Sequence, residues 1–159
     1  MNNDNIQIKV ADLLINKGLK LALAESCTGG MIAAALTDIP GSSEFFERGF
    51  VTYSNLSKIE MLGVSIKTLE DHGAVSKETA IEMSKGALKK SAADVTIAVT
   101  GIAGPTGGTA DKPVGTVHIS CATYDTVLHK KFQFSGDRSD VRASTMENAL
   151  MMLIEMLSG

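Results

Sequence analysis

Short apolar runs alternate with segments of helical period along almost the whole chain, and that alternation leaves few folds open. Ile6, Val10, Leu13 and Leu14 recur at helical spacing over 4–17, and Gly18 suits a C-cap. Residues 20–25, with Leu-Ala-Leu-Ala at their centre, read as a short buried strand. The small residues of 30–37 read as a helix that Pro40-Gly41 ends. A short helix is expected over 44–48 with Ser43 as its cap, then a strand over 49–53. Helical pieces follow over 55–62 and 66–71, and Ser76 caps a helix reaching about Lys90. Residues 94–99 carry the strongest strand signal. Two paired strands over 115–123 and 126–134 surround a Tyr124-Asp125 turn, and a helix over 139–157 closes the chain. Interleaved elements of this kind predict a single-domain layered α/β sandwich, a mixed β-sheet flanked by helices with its last strands antiparallel.

A chain of 159 residues fits one domain. At that length roughly 70% of the unfolded chain's surface is buried, so a core forms without disulfide or metal staples. A net charge of −3 argues against a surface built to coat nucleic acid. Cys27 and Cys121 have neither metal-ligand spacing nor a disulfide framework, which points to reduced thiols in a cytoplasmic protein and to no metal site. Met1-Asn2-Asn3-Asp4 has no basic leader, and the apolar run 31–36 is far too short to cross a bilayer, so no membrane partner is expected. Met146, Met151, Met152 and Met156 gather in the last helix, where core or dimer packing is their ordinary use.

Four segments carry residues suited to chemistry. In Ala24-Glu25-Ser26-Cys27-Thr28-Gly29-Gly30 a buried strand meets a helix, which lifts a side chain to where a substrate can reach it. First-turn amides there are expected to face an anion or a developing oxyanion, and Gly29 and Gly30 permit close approach. Ser26 or Thr28 acting only as a helix cap fits the same residues. In Val51-Thr52-Tyr53-Ser54-Asn55-Leu56-Ser57-Lys58, Tyr53 and Lys58 are one turn apart and can face one cavity. A serine nucleophile needs a base, and His72, His118 and His129 sit in no motif that suggests the task. A neutral lysine can replace histidine, although lowering a lysine from about 10.4 to about 7.5 costs roughly 4 kcal/mol. An ordinary surface lysine is the plainer reading of Lys58, and Cys27 beside Ser26 is a rival nucleophile. The glycine-rich loop from Thr100 through Gly101 and Gly104 to Gly108 follows the best strand, a usual place for a ligand or simply a turn. Arg138 and Arg142, beside the start of the last helix, suit a phosphate or mere solvation.

These segments occur in one order with others: AESCTGG from Ala24, PGSSEFF from Pro40, VTYSNLSK from Val51, GAVSKETA from Gly73, TGIAGPTGG from Thr100, KPVGTVHIS from Lys112 and SGDRSDVR from Ser135. The ordered set spans nearly the whole chain and closely resembles the CinA C-terminal domain family, which includes nicotinamide-nucleotide amidases. The resemblance implies an α/β sandwich that hydrolyses the carboxamide of nicotinamide mononucleotide to nicotinate mononucleotide and ammonia, without metal or other cofactor, as a homodimer or higher homo-oligomer. It implies Ser26, Tyr53 and Lys58 as catalytic residues. Thr28, Gly29, Gly30, Asn55, Thr100, Gly101, Gly104, Arg138 and Arg142 are the expected substrate-binding positions, with a weak preference for Arg142 over Arg138 as phosphate ligand. Two departures stand out. His118 occupies a strand position where the family more often has an aromatic residue, a matter of packing, and the larger N-terminal domain of some members is missing, which implies a stand-alone form. The same residues are also compatible with a serine amidase for another amide, or with a catalytically silent pyridine-nucleotide-binding module.

Overall fold

The computed structural model describes residues 5–159. Asn5 opens helix α1 (Ile6–Lys17): its side-chain oxygen accepts from the amides of Gln7 and Ile8, and Gly18 closes the helix in the left-handed region. The expected start of this helix at Asp4 lies outside the described residues. Strands β1 (Leu21–Glu25), β2 (Phe46–Val51), β3 (Val95–Gly101), β4 (Thr116–Ala122) and β5 (Val127–Gln133) form one sheet in the order β2-β1-β3-β4-β5. β1 is parallel to β2 and β3, whereas β3–β4 and β4–β5 are antiparallel. Helices α2 (Met31–Thr37), α3 (Asn55–Leu62), α4 (Ile66–His72), α5 (Lys77–Lys89) and α6 (Arg138–Ser158) complete the sandwich that the alternation predicts.

Alternate residues of a strand serve opposite faces. Leu23, Ile97 and Ile119 lie in a large core with Val10 and Leu14 of α1, Leu36 of α2 and Leu150 of α6. Ala24 and Ala98 point the other way, to Leu62 of α3 and Met83 and Ala87 of α5. That second layer is built from small residues, so its helices sit close. A Cβ at Gly86 of α5 would overlap the carbonyl oxygen of Leu62 at the end of α3, so only glycine fits there.

The expected helix over 44–48 does not form. Ser42–Glu44 makes one 3-10 turn, Phe45 is wholly buried, and β2 starts at Phe46. Pairing with β1, opened by the Leu21 amide donating to the Phe45 carbonyl at 2.7 Å, outweighs the local helical preference. β2 correspondingly ends at Val51, before Tyr53. Gly30 is the N-cap of α2 and not its first helical residue.

Candidate active site

The parallel strands β1, β2 and β3 end at one edge of the sheet, with Glu25, Val51 and Gly101. The crevice outside the carboxyl ends of such strands is where ligands enter α/β folds. At that edge the Ser26 amide still donates to Val99 (3.2 Å), and the chain then turns through Gly29 (φ 56°) and Gly30 (φ 103°) into α2. Side chains rarely adopt that backbone, which accounts for the glycine pair.

Glu25 governs this turn. Its side chain is buried, Oε1 accepting from Thr28 Oγ1 (2.6 Å) and from the amides of Gly30 (3.2 Å) and Ile32 (3.0 Å). Its Oε2 accepts from the amide of Ala33 (2.9 Å). The sequence expectation that the first-turn amides of α2 face an incoming anion is therefore corrected: the chain's own carboxylate takes them, because a buried helix end must satisfy its orphan donors. The Thr28 hydroxyl is spent in the same way. Sequence reasoning missed Glu25, although an acidic side chain directly before a helix with only glycine at its cap was the available signal.

Ser26 meets Lys58 across the edge. A capping box between Ser54 and Ser57 starts α3 and turns its first inward position, Lys58, beneath the turn. Lys58 is 1% exposed, and its Nζ donates to the Thr52 carbonyl (2.7 Å) and contacts Ser26 Oγ (3.0 Å). Burial lowers its pKa from the ordinary 10.5 to about 8, with Cys27 acting weakly the other way. Near neutral pH such a lysine supplies a fraction of free amine within reach of a hydroxyl. Cys27 fits the nucleophile's part poorly, since burial pushes its thiol up to about 11. The histidines are engaged elsewhere. His118 Nδ1 and His129 Nε2 share a hydrogen bond (2.9 Å) between stacked rings, and burial drives His118 down to about 4. His72 faces Glu78.

The other expected residues divide into groups. Tyr53 is 61% exposed, and its hydroxyl accepts from Arg138 Nη2 (3.0 Å), not from Ser26 or Lys58. Arg138 Nη1 also donates to the Gly104 carbonyl (2.7 Å), linking Tyr53 to the glycine-rich loop. Arg142 donates to two carbonyls after Ser26, from Nε to Cys27 (3.1 Å) and from Nη2 to Thr28 (2.9 Å). Asn55 lies exposed at the first turn of α3. The Thr100 hydroxyl turns to the Ala74 carbonyl (2.8 Å), and Gly101 and Gly104 pack against Val117 and Val114. A groove of about 480 Å³ runs beside Ala103, Pro105, Val114, Arg138 and Arg142. Among the described residues no cluster of three or more His, Cys, Asp or Glu can hold a metal ion, and no helix is long and apolar enough to cross a membrane.

A buried serine–lysine contact at the carboxyl edge of a mixed sheet is the arrangement of hydrolases that use lysine in place of histidine. The comparisons with known proteins are more specific: the CinA C-terminal domain matches residues 3–157, and the chain belongs to that family. It is 55% identical over 138 residues to a protein of Enterobacter agglomerans named nicotinamide-nucleotide amidohydrolase PncC, covering 86% of this chain and 84% of that one. It is 50% identical over 153 residues to a putative competence-damage inducible protein of Caldicellulosiruptor saccharolyticus, covering 96% of this chain but only 37% of that longer protein. The crystal structure of the competence/damage inducible protein CihA from Agrobacterium tumefaciens superposes with a TM-score of 0.91 at 46% identity, over 100% of this chain and 99% of that one.

Proposed function

We propose that the chain is an amidohydrolase that converts nicotinamide mononucleotide to nicotinate mononucleotide and ammonia, with Ser26 as nucleophile and Lys58 as its base. The observation that carries this reading is the contact of the buried Lys58 Nζ with Ser26 Oγ at 3.0 Å. The name of the Enterobacter agglomerans relative supports the substrate.

In this mechanism neutral Lys58 takes the Ser26 proton as Oγ attacks the carboxamide carbon, and the carbonyl π pair moves onto oxygen. Collapse of the tetrahedral species breaks the C–N bond, and the lysine returns its proton to the departing nitrogen, so ammonia leaves and an acyl-serine remains. Water, deprotonated by the same amine, then attacks the ester and releases the carboxylate and Ser26. Direct contact of Ser26 and Lys58 makes a relay through Tyr53 unnecessary for the first transfer, and the bond between Tyr53 and Arg138 favours a part for both at the substrate end. Arg138 is exposed at the start of α6 and is the better candidate for the 5′-phosphate, since Arg142 is committed to the Cys27 and Thr28 carbonyls. Homo-oligomeric assembly belongs to the same reading. The exposed apolar side chains of Val51, Leu56 and Ile66 near this edge favour cover by a second copy.

Ammonia release from nicotinamide mononucleotide by the purified protein tests the reading. Stoichiometric ammonia and nicotinate mononucleotide are expected. Tight binding without turnover contradicts it in favour of a silent nucleotide-binding module, and release from a different amide alone contradicts the substrate.

A further inference from the structure

We propose that Arg142 is a positioning residue: it fixes the peptide units after Ser26 so that the Thr28 amide, with the Cys27 amide beside it, receives the oxyanion formed by attack of Ser26. The inference rests on the reading of Ser26 as nucleophile.

Accounting for every polar backbone group of the turn leads there. The amides of Gly30, Ile32 and Ala33 go to Glu25. The amide of Gly29 goes to the Ser26 carbonyl (3.0 Å), that of Met31 to the Thr28 carbonyl (3.0 Å), and that of Ser26 to Val99. The carbonyls of Cys27 and Thr28 receive Arg142. Among the described residues the Thr28 amide has no acceptor, and the Cys27 amide leans only on its own sulfur, a weak acceptor. Unmet donors at a buried turn call for a ligand. The two sit directly after the nucleophile, where an amide is placed to meet the oxygen of a tetrahedral intermediate.

Arg142 decides where one of them points. In a trans peptide the N–H lies opposite the C=O. The only cis bond among the described residues is Gly104–Pro105. Holding the Cys27 carbonyl toward α6 therefore turns the Thr28 N–H away from α6. A guanidinium can hold two successive carbonyls at once because its donors form a rigid planar fork, which an ammonium lacks. The fork is itself anchored. Asp137 and Asp140 form a capping box at the start of α6, and Val141 and Thr145 on either side of Arg142 are buried. Glu25 restrains the turn from one side and Arg142 from the other, so the uncommitted amides are held in a rigid frame.

The test compares Ser26 labelling by a fluorophosphonate in the wild type, Arg142→Ala and Arg142→Lys. In that reaction Ser26 Oγ forms a P–O bond, the P–F bond breaks, fluoride leaves and the serine proton passes to Lys58. The phosphoryl oxygen takes the oxyanion's place, so the assay does not depend on which amide is the natural substrate. Labelling should slow about 100-fold in Arg142→Ala, the usual effect of losing one such donor, and by a smaller factor in Arg142→Lys. Added guanidinium ion should recover part of the rate in Arg142→Ala. With nicotinamide mononucleotide, kcat should fall while KM stays within about threefold. Wild-type labelling matched by a folded Arg142→Ala overturns the proposal alone. So does a raised KM with kcat kept, the signature of a phosphate grip, or a lowered Tm with slow labelling that guanidinium does not recover. A wild type that is not labelled at Ser26 overturns the nucleophile reading and this inference with it. Should Arg142→Ala not fold, Arg142→Lys decides by the same rates.

Discussion

At the residue scale the chemistry rests on two neighbours with opposite prospects. Ser26 touches an amine whose pKa is about 8, while Cys27 next to it is buried and pushed up to about 11. Ser26→Ala should therefore lose at least about 1000-fold in ammonia release, whereas Cys27→Ala should retain turnover within about tenfold, with both variants melting near the wild type. The reverse order of activities would assign the reaction to the thiol. Arg138 makes a separable prediction. Arg138→Ala should raise KM for the mononucleotide about tenfold or more and leave the riboside little changed, because a phosphate contact is missing only from the former. Steady-state kinetics on both substrates checks it, and equal effects on the two would remove the phosphate assignment. The sequence made Ser26, Tyr53, Lys58 and both arginines visible, because each is a reactive type in a segment that ends a strand or starts a helix. It hid their partners. That Arg142 reaches carbonyls 114 and 115 residues away, or that Glu25 spends the amides of α2, depends on packing that no local pattern encodes.

At the element scale the long periodic pieces were legible. Residues 6–17 and the helix capped by Ser76 read correctly because burial on one face imposes a helical period, and the strand after Asp94 did because it is apolar throughout. The region after Pro40 misled, since Glu44 and the residues after it have helical propensity but Phe45 is buried and β2 pairs with β1. Elements decided by a distant partner are where local reading fails. The same layer logic makes Gly86 a sensitive point. Gly86→Ala should cost about 2–3 kcal/mol in urea unfolding, the usual range for overpacking, against a small gain from helix propensity. It should also lower turnover, because the clash with Leu62 displaces the helix that carries Lys58. A Gly86→Ala protein as stable and active as the wild type would contradict the packing described for α3 and α5.

At the scale of the whole molecule, Lys58 links activity to stability. Its folded pKa is lower than its unfolded one, so as pH falls from above 10.5 toward 8 the unfolded chain gains a proton the folded chain refuses, and stability declines, with the full penalty below about 8. The fall from 10.5 to about 8 corresponds to about 3 kcal/mol, part of which is offset by the bonds to Thr52 and Ser26. Lys58→Met should then be inactive yet about 1–2 kcal/mol more stable than the wild type at pH 7, with the advantage gone by about pH 11 in denaturant titrations. The most direct measurement is kcat/KM for ammonia release from nicotinamide mononucleotide against pH, in the wild type and in Lys58→Arg. The wild type should lose activity tenfold per pH unit below about 8, as the free amine becomes ammonium, and Lys58→Arg should be nearly as inactive as Lys58→Ala because a guanidinium does not deprotonate there. A flat wild-type profile down to pH 6, or a Lys58→Arg enzyme that keeps most of its turnover, would contradict the account.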